Sequence, residues 1–250
     1  MPAINCNFID NAVWSQAEAG SFVPNENIDV WRIPVTENLP LLPYFMTKIS
    51  GDELDKAVSY HQENDVNRFI ITRCMLRFLL GKYLDQAPGA IQLETGRHKK
   101  PTMQNGALGN WHYNISHSGD WILIAIARSG VGIDVEKMED HFDYTGMLKR
   151  CFSLPEVRHL QSGFQARDSF YLLWTRKEAL LKATGIGLVE HLECIPCMDG
   201  AHMVDPGMIG SEEDWTVSSF VLDRRYVCSI ACHPHFKGLR LWDANVGVLD

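Results

Sequence analysis

The stretch WILIAIARSGVGIDVE, residues 121–136, decides the fold, because it joins two strand-like runs across a short turn. Residues 121–127 form an unbroken apolar run and residues 131–136 follow after the turn, which predicts a hairpin of two antiparallel strands. In the second strand Asp134 and Glu136 are two residues apart, so both carboxylates leave the same face. Such carboxylates repel each other unless protons or a cation intervene, which makes this strand a candidate for a functional site.

The second strand opens a succession of elements that repeats an earlier one at an offset of about 103 residues. Each succession contains a strand, a Ser-x-x-Glu capping box that opens a helix, a longer helix and three further strands. The first comprises a strand at 28–34, a capping box at 50–53 with a helix to about 61, a helix at 65–83, and strands at 91–95, 111–116 and 121–127. The second comprises a strand at 131–136, a capping box at 153–156, a helix at 167–184, and strands at 192–197, 215–222 and 226–232.

One offset that aligns this many elements predicts a duplicated unit. We therefore expect an α+β fold of two pseudo-symmetric halves, residues 1–127 and 128–250, each with helices packed on an antiparallel sheet. Ligand sites tend to lie in the cleft between such halves, so the active site is expected there.

The composition is that of a soluble globular protein and excludes several classes. Hydrophobic residues make up 46% of the chain, and its longest apolar run is far shorter than the roughly 20 residues that cross a bilayer. The N-terminus, MPAINCNF, lacks the basic-then-apolar pattern of a signal peptide. The 7 cysteines are an odd number, which favours free thiols in a reducing cytosol over a disulfide framework. We expect a cytoplasmic protein with no membrane partner.

The charge is unevenly distributed along the chain. The net charge of −8 argues against a sequence-independent nucleic-acid binder, so no nucleic-acid partner is expected. Residues 66–105 nevertheless carry a clear excess of lysine and arginine. A basic region in an acidic protein is a candidate anion site, because clustered cations raise the local concentration of phosphates. Charge alone does not separate this interpretation from a set of solvated helix-face charges.

A lysine and a third carboxylate occur on one helix face further along the chain. Trp174, Glu178 and Lys182 are spaced four residues apart, so they share a face. The carboxylates of Asp134, Glu136 and Glu178, with Lys182 nearby, form a set that suits Mg²⁺, which takes oxygen ligands and is often completed by substrate phosphates. Solvated carboxylates on the strand and an ordinary Glu-Lys helix pair explain the same spacing, and these alternatives remain open on spacing alone.

Three motifs in order resemble those of the Sfp-type 4′-phosphopantetheinyl transferases, the larger and pseudo-dimeric class. They are YNISHSG at 113–119, GIDVE at 132–136 and WTRKEALLK at 174–182. The resemblance covers roughly residues 40–235. It implies two similar α+β halves in a monomeric chain, with coenzyme A bound between them as substrate.

The resemblance also implies the metal-binding and catalytic residues. Asp134, Glu136 and Glu178 match carboxylates that hold Mg²⁺, with Mn²⁺ as an alternative, against the pyrophosphate of coenzyme A. Lys182 matches a lysine that contacts the phosphates. Glu156 occupies the position of a glutamate proposed as general base, but it is also the fourth residue of a capping box, and the two roles compete.

The coenzyme-binding residues follow in the same way. Ser116 and His117 match a pair that binds coenzyme A, and the histidine is expected to reach a phosphate. Lys100 matches the lysine of a Gly-Lys-Pro motif near the nucleotide. Arg68 and Lys56 align with basic residues that contact the nucleotide end of the coenzyme.

Two positions depart from the family pattern. Lys99 occupies the glycine position before Lys100, so the backbone of that loop is expected to differ. Glu53 lies where a second basic residue is expected, so weaker binding of the 3′-phosphate of coenzyme A is expected at that point.

The implied reaction moves 4′-phosphopantetheine from coenzyme A to a serine of an apo acyl or peptidyl carrier protein and releases adenosine 3′,5′-bisphosphate. Such transfer depends on positioning and on neutralising charge around the phosphorus. The serine proton needs an acceptor, for which Glu178, Glu156 and a hydroxide on the metal are candidates. Two other functions remain: a non-catalytic coenzyme A or nucleotide-binding protein, and a metal-dependent nucleotide phosphohydrolase.

The carrier-docking surface is expected on the C-terminal half, just before the helix that contains Glu156. Met147, Lys149, Arg150 and Phe152 are the candidates. A solvated loop with one core aromatic residue explains these four equally well.

Overall fold

The computed structural model of the protein describes residues 1–23, 26–95, 101–103, 111–162, 165–187, 189–244 and 246–249. The strands are β1 (Ala3–Phe8), β2 (Ser15–Gln16), β3 (Asn27–Pro34), β4 (Leu93–Thr95), β5 (Pro101–Met103), β6 (His112–Ser118), β7 (Trp121–Ala127), β8 (Val131–Lys137), β9 (Gly200–Met203), β10 (Trp215–Asp223), β11 (Tyr226–Cys232) and β12 (Gly238–Asp243). The helices are α1 (Val35–Asn38), α2 (Leu42–Met46), α3 (Gly51–Val58), α4 (Glu63–Leu84), α5 (Leu148–Cys151), α6 (Leu154–Ser162), α7 (Ala166–Thr184), α8 (Pro206–Ile209) and α9 (Val246–Leu249). Among the helices in these ranges, none combines the length and apolar character that a membrane crossing requires.

Two five-stranded sheets contain the same antiparallel core. The strand order is β2-β12-β3-β7-β6 in the first sheet and β8-β11-β10-β1-β9 in the second. In the first, β7 pairs antiparallel with β3 and with β6, and in the second β11 pairs antiparallel with β8 and with β10. Each unit begins with one strand, continues through helices and closes with a β-hairpin. The α+β duplication predicted from the sequence is therefore confirmed.

The two sheets pack face to face, and each has a long helix on its outer face. The core between the sheets joins Val30 and Leu123 of the first sheet to Ile133 and Phe220 of the second. Helix α4 covers the outer face of the first sheet, and α7 covers that of the second. The resulting layers are helix, sheet, sheet and helix, so the elements that bear the predicted site residues meet where the two halves join.

The terminal strands cross between the halves. β1 pairs parallel with β10 in the second sheet, and β12 pairs parallel with β3 in the first. β12 is fastened by the buried carboxylate of Asp29, which accepts hydrogen bonds from Arg240 at 2.6 and 2.7 Å, from Trp242 at 2.9 Å and from Tyr83 at 2.5 Å. The expected boundary between residues 127 and 128 falls at the turn between the halves, but each sheet is completed by a strand from the opposite end of the chain.

The hairpin predicted across residues 121–136 is wrong. β7 and β8 lie in different sheets, and the turn between them carries the chain from one sheet to the other. β7 is buried on both faces, because Leu123 and Ala125 belong to the core between the sheets while Ile122 and Ile124 pack toward α4. Two apolar runs joined by a short turn satisfy the hairpin pattern equally well when they pack face to face.

Local signals predicted the helix starts well and one strand badly. Both capping boxes are present, with Ser50 Oγ accepting from Glu53 N at 3.3 Å and Ser153 Oγ from Glu156 N at 3.4 Å. The strand predicted at 192–197 is wrong. That segment contains only a short 3₁₀ turn, and its buried isoleucine and cysteine pack into the second core without a strand partner.

Candidate active site

A cleft of about 510 Å³ lies where the two halves meet. The first half contributes α3, α4 and β6, and the second contributes β8 and α7. Of the predicted site residues, those that line it are Lys56, Arg68, Ser116, His117, Asp134, Glu136, Glu178 and Lys182. The structure thus brings together residues that are up to 126 positions apart in the sequence.

The edge strands β6 and β8 meet at the floor of this cleft through side chains. An exposed edge strand presents unpaired backbone groups that need partners. Here alternate side chains of β6 accept from alternate amides of β8: Asn114 Oδ1 from Ile133 N at 2.9 Å, Ser116 Oγ from Val135 N at 3.3 Å, and Ser118 Oγ from Lys137 N at 3.1 Å. The polar residues of the YNISHSG motif therefore fix β8, and with it Asp134 and Glu136, against the first half.

Helix α7 reaches the carboxylates of β8 because residue 132 is glycine. A Cβ atom at Gly132 would lie 2.1 Å from the carbonyl oxygen of Ala179 and 2.3 Å from the amide nitrogen of Ala183. No side chain fits that gap, so the glycine permits the helix backbone to lie directly on the strand. This close approach brings Glu178 and Lys182 to the same cleft as the carboxylates of β8.

Lys182 links three elements of the site. Its Nζ donates to Asp134 Oδ1 at 2.7 Å, to Ser116 Oγ at 3.0 Å and to the carbonyl oxygen of Ile133 at 3.1 Å. The Ser116 hydroxyl donates in turn to Asp134 Oδ1 at 2.9 Å. Oδ1 of Asp134 is thus held by a cation and a hydroxyl, and these two contacts fix the direction in which Oδ2 points.

That other oxygen is available to a cation. Asp134 is only 4% exposed, and within the described part of the chain its Oδ2 has no hydrogen-bond partner. Burial and then the negative charge of Asp134 raise the pKa of Glu136 to about 7, and the charge of Glu178 adds to the effect. Carboxylates that repel each other around an unpartnered buried oxygen are the donor set expected for a hard cation.

The carboxylates do not form a closed metal cage by themselves. In the ranges that the structure describes, no three acidic, histidine or cysteine side chains converge as a complete metal site. Mg²⁺ usually takes one or two carboxylates and completes its coordination with waters and substrate phosphates. An open arrangement of carboxylates along one cleft wall therefore fits a cation that is held jointly by protein and substrate.

The opposite wall of the cleft is basic and aromatic. Lys56 Nζ lies 5.6 Å from the ring centre of Phe69, and the guanidinium of Arg73 lies 5.2 Å from it, so the ring has two cations close to it. Arg68 donates to Asp65 at 3.3 Å and to the Gly119 carbonyl oxygen at 3.3 Å. Three basic side chains along one wall give the cleft an end that suits phosphate groups.

His117 projects into the cleft between the basic wall and Lys182. Its side chain is partly exposed and lines the cavity. Burial in the cleft and then the charges of Arg68 and Lys182 lower its pKa. A neutral imidazole can donate one hydrogen bond to a phosphate without adding a charge that must be desolvated.

Arg73, Phe69 and Trp174 are cleft residues that sequence reasoning did not assign to the site. Phe69 and Arg73 are four residues apart on α4, so helical spacing places these two on one face, although it does not place that face in the cleft. Trp174 lines the cleft and also stacks against Phe170, with ring centres 6.3 Å apart. Its core and site roles are therefore compatible.

Glu53, which departs from the family pattern, is used within the protein. Its carboxylate is buried, accepts from Ser50 N at 2.9 Å and binds Arg77 at 2.9 and 3.0 Å. Glu53 also lies 3.8 Å from Arg73. The acid therefore holds α3 against α4, and Arg73 supplies a cation to the cleft near the place where the family pattern led us to expect one.

Glu156, for which the sequence left the roles of helix cap and general base open, is buried in the second half. Glu156 is 1% exposed and does not line the cleft. Its carboxylate accepts from Ser153 N at 2.7 Å, from Cys197 N at 2.9 Å and from Lys177 Nζ at 3.0 Å. A carboxylate with these structural partners caps α6 and joins it to α7.

The remaining expected residues are Lys100 and the docking candidates. Lys100, together with Lys99, falls outside the described residues. Of the docking candidates, Phe152 is buried against Phe170, with ring centres 5.6 Å apart, so it is a core residue. Lys149 and Arg150 are exposed on α5, and Met147 lines a second cavity of about 390 Å³ that adjoins the cleft at Glu136 and Trp174.

Comparisons with known proteins agree with this arrangement. The family model described as the 4′-phosphopantetheinyl transferase superfamily matches residues 130–231, and a model of a 4′-phosphopantetheinyl transferase N-terminal region matches residues 36–129. A Synechocystis protein whose name gives this activity provisionally is 35% identical over 194 residues, which cover 76% of this chain and 78% of the relative. A 4′-phosphopantetheinyl transferase of Bacillus subtilis is 30% identical over 76% of this chain and 85% of its own length.

A further relative is the 4′-phosphopantetheinyl transferase Sfp of Bacillus subtilis strain 168, which is 27% identical over 77% of this chain and 86% of its own length. The two family models meet between residues 129 and 130, next to the turn that joins the two sheets. The chain therefore belongs to the 4′-phosphopantetheinyl transferase superfamily, in its Sfp-type class of two fused halves.

Proposed function

We propose that this transferase moves the 4′-phosphopantetheine group of coenzyme A to a serine hydroxyl of an apo acyl or peptidyl carrier protein. The bond between phosphorus and the bridging oxygen of the pyrophosphate breaks, the serine oxygen bonds to that phosphorus, and adenosine 3′,5′-bisphosphate leaves. The observation that carries the proposal is a single cleft with a basic wall on one half and a wall of carboxylates and lysine on the other. Such a cleft suits a substrate with phosphates at one end and a reacting pyrophosphate at the other.

The basic wall is assigned to the nucleotide end of coenzyme A. Lys56, Arg68 and Arg73 supply charge for its phosphates, and Arg73 is added to the set expected from the sequence. His117, which lies between this wall and Lys182, is assigned to a phosphate that it binds through an imidazole N–H. The described residues alone therefore supply cations for the nucleotide end, to which Lys100 is expected to add another.

The carboxylates are assigned to a metal ion beside the pyrophosphate. Asp134, Glu136 and Glu178 would hold Mg²⁺, or Mn²⁺ in its place, which would supply positive charge where the leaving bisphosphate becomes negative. The unpartnered Oδ2 of Asp134 and the raised pKa of Glu136 support this assignment. Lys182, already held by Asp134 and Ser116, is placed to neutralise a phosphate oxygen at the same point.

Glu178 is assigned as the acceptor of the serine proton. It is the carboxylate that α7 presents to the cleft, whereas Glu156 is occupied by its structural contacts. Transfer of the proton to a carboxylate allows the serine oxygen to attack as its bond to phosphorus forms.

The carrier protein is assigned to the surface beside the second cavity. Met147 lines this cavity together with four aromatic residues, and Lys149 and Arg150 are exposed on α5, which begins directly after Met147. A single chain contributes both walls of the cleft, which supports a monomer. The free cysteines of the described chain support a reducing, cytoplasmic setting.

The release of adenosine 3′,5′-bisphosphate tests the function and separates it from the alternatives. We expect release from coenzyme A only when an apo carrier protein is present, in an amount equal to the carrier that is modified. A carrier whose acceptor serine is replaced by alanine should give no release. Release without any carrier would identify a phosphohydrolase, and binding of coenzyme A with no release under any condition would identify a binding protein.

A further inference from the structure

The side-chain contacts between β6 and β8 have a repeating geometry. Each of three β6 side chains accepts from the amide that lies 19 positions further along the chain, namely Asn114 from Ile133, Ser116 from Val135 and Ser118 from Lys137. The two serines also donate. Ser116 Oγ donates to Asp134 Oδ1 at 2.9 Å, and Ser118 Oγ donates to Glu136 Oε2 at 3.0 Å.

These paired contacts orient each serine hydroxyl. A hydroxyl has one proton and two acceptor lone pairs. When the lone pair of Ser118 accepts from the amide of Lys137, its proton is directed to the neighbouring carboxylate of Glu136. Because the Lys137 amide is part of strand β8, the backbone sets the orientation of the Ser118 hydroxyl and therefore of its hydrogen bond to Glu136. Among the residues that the structure describes, Asn114 has the amide contact without a carboxylate contact, which distinguishes it from the two serines.

Glu136 needs such an anchor because it lies between two cavities. Its side chain lines both the cleft and the adjoining cavity of about 390 Å³, and Ser118 lines only the second of these. The negative charges of Asp134 and Glu178 act on the Glu136 carboxylate and repel it. The hydrogen bond from Ser118 restrains one of its oxygens against that repulsion.

We propose that Ser118 is a positioning residue that orients Glu136 for the metal ion, an inference that rests on the proposed function. Ser118 does not touch coenzyme A or the reacting atoms in this proposal. It acts through Glu136, as outer hydrogen-bond partners commonly do for metal ligands, where their removal lowers metal affinity by about 10–100-fold. Ser116 and Ser118 then form a pair in which each hydroxyl sets one carboxylate of the Asp-x-Glu motif.

The test is the dissociation constant of Mg²⁺, measured by titration calorimetry on the full chain with coenzyme A bound. Ser118→Ala should weaken Mg²⁺ binding by about tenfold. Ser118→Thr keeps a hydroxyl that can accept and donate, so it should restore binding to within about twofold of the wild type. In transfer assays Ser118→Ala should raise the Mg²⁺ concentration for half-maximal rate, while kcat at saturating Mg²⁺ stays close to the wild-type value.

Asn114→Ala is the matched control for a merely structural role. It removes an equivalent amide contact between the same two strands but no contact to a carboxylate. It should lower the thermal midpoint and leave the dissociation constant of Mg²⁺ within about twofold. A further comparison uses the Glu136→Gln background, in which adding Ser118→Ala should produce no further loss of Mg²⁺ affinity because the two residues act as one unit.

Three results would overturn the proposal. They are unchanged Mg²⁺ binding by Ser118→Ala, an equal loss in Asn114→Ala, and a full additional loss on top of Glu136→Gln. If Ser118→Ala does not fold, Ser118→Thr still tests the proposal. A threonine variant that folds but binds Mg²⁺ tenfold more weakly than the wild type would contradict it. Failure of the proposed function is separately visible, because the wild-type protein would then show no metal-dependent transfer at all.

Discussion

Replacing Glu156 with glutamine tests whether this carboxylate stabilises the fold or takes part in the reaction. The side chains of Glu156 and Lys177 are each 1% exposed, and their charged atoms lie 3.0 Å apart. Lys177 Nζ also donates to the carbonyl oxygens of Leu192 at 3.0 Å and Ile195 at 2.5 Å. Glutamine keeps the shape of the side chain but removes its charge, which leaves the buried ammonium with only neutral acceptors.

The expected cost follows from the burial of that ammonium. Removing one partner of a buried ion pair costs about 3–5 kcal/mol, because the remaining charge is uncompensated. The amide of glutamine also has one acceptor atom, whereas the Glu156 carboxylate uses both oxygens toward Ser153, Cys197 and Lys177. We therefore expect Glu156→Gln to lower the free energy of unfolding by about 3–5 kcal/mol, a large part of the 5–15 kcal/mol that domains typically have.

The assay pairs equilibrium unfolding in urea with kcat measured well below the midpoint. Glu156→Gln should be strongly destabilised while its folded fraction keeps a kcat within about threefold of the wild type, since no interaction made only in the transition state is removed. Lys177→Met should cost a similar amount, and the double variant should cost less than the two single changes added together. Unchanged stability with kcat reduced by a hundredfold or more would refute this reasoning and restore the role of general base.

Three further changes probe the cleft. Asp134→Ala should lower kcat by about 10²–10³-fold or more in a chain that still folds by circular dichroism, and wild-type turnover of the folded variant would rule out its metal role. Burial and the charge of Asp134 raise the pKa of Glu136 from 4.5 to about 7, so the metal-free protein should lose stability as the pH rises through this interval. The free energy of unfolding, measured by urea titration at several pH values, should depend less steeply on pH in Glu136→Gln than in the wild type. An unchanged pH dependence would contradict the assignment. Gly132→Ala should lower both the thermal midpoint and kcat, because a Cβ 2.1 Å from the Ala179 carbonyl oxygen pushes α7 from β8, whereas Gly51→Ala, with open space around it, should change neither.

The parts of the fold that were predictable from the sequence have local causes. Both capping boxes depend on residues three positions apart, and the long helices depend on contacts within a few turns. β7 and β11 begin and end at the predicted residues, since each is an apolar run that ends at polar or turn residues. The shared face of Asp134 and Glu136 likewise follows from the two-residue period of a strand.

The features that were missed depend on partners distant in the sequence. Ile4 of β1 lies opposite Trp215 in a parallel pair, and no local pattern indicates a partner that far along the chain. The hairpin prediction failed because a short turn between apolar runs fits both a paired hairpin and a passage between two sheets. Arg73 was not assigned to the cleft because its place depends on how α3 and α4 pack, which brings Lys56 and Arg73 to the same ring of Phe69, and composition does not reveal that packing.

The two candidate roles of Glu156 cannot be separated by the sequence motif alone. The sequence gives a Ser-x-x-Glu pattern that fits both a helix cap and a positioned base. Only the burial of Glu156 and its contact with Lys177 separate the two. Sequence spacing identifies which residues can contact one another. The hydrogen-bond partners of each carboxylate oxygen determine whether that carboxylate is available for chemistry.

The most direct test of the central claim is intact mass spectrometry of an apo carrier protein after incubation with this protein, coenzyme A and Mg²⁺, with and without EDTA. A carboxylate-held metal in the cleft predicts that the carrier gains one 4′-phosphopantetheine group on its acceptor serine with Mg²⁺ and none with EDTA. An equal gain in EDTA would contradict the metal assignment. Several unrelated apo carriers that remain unmodified with Mg²⁺ would contradict the proposed transfer itself.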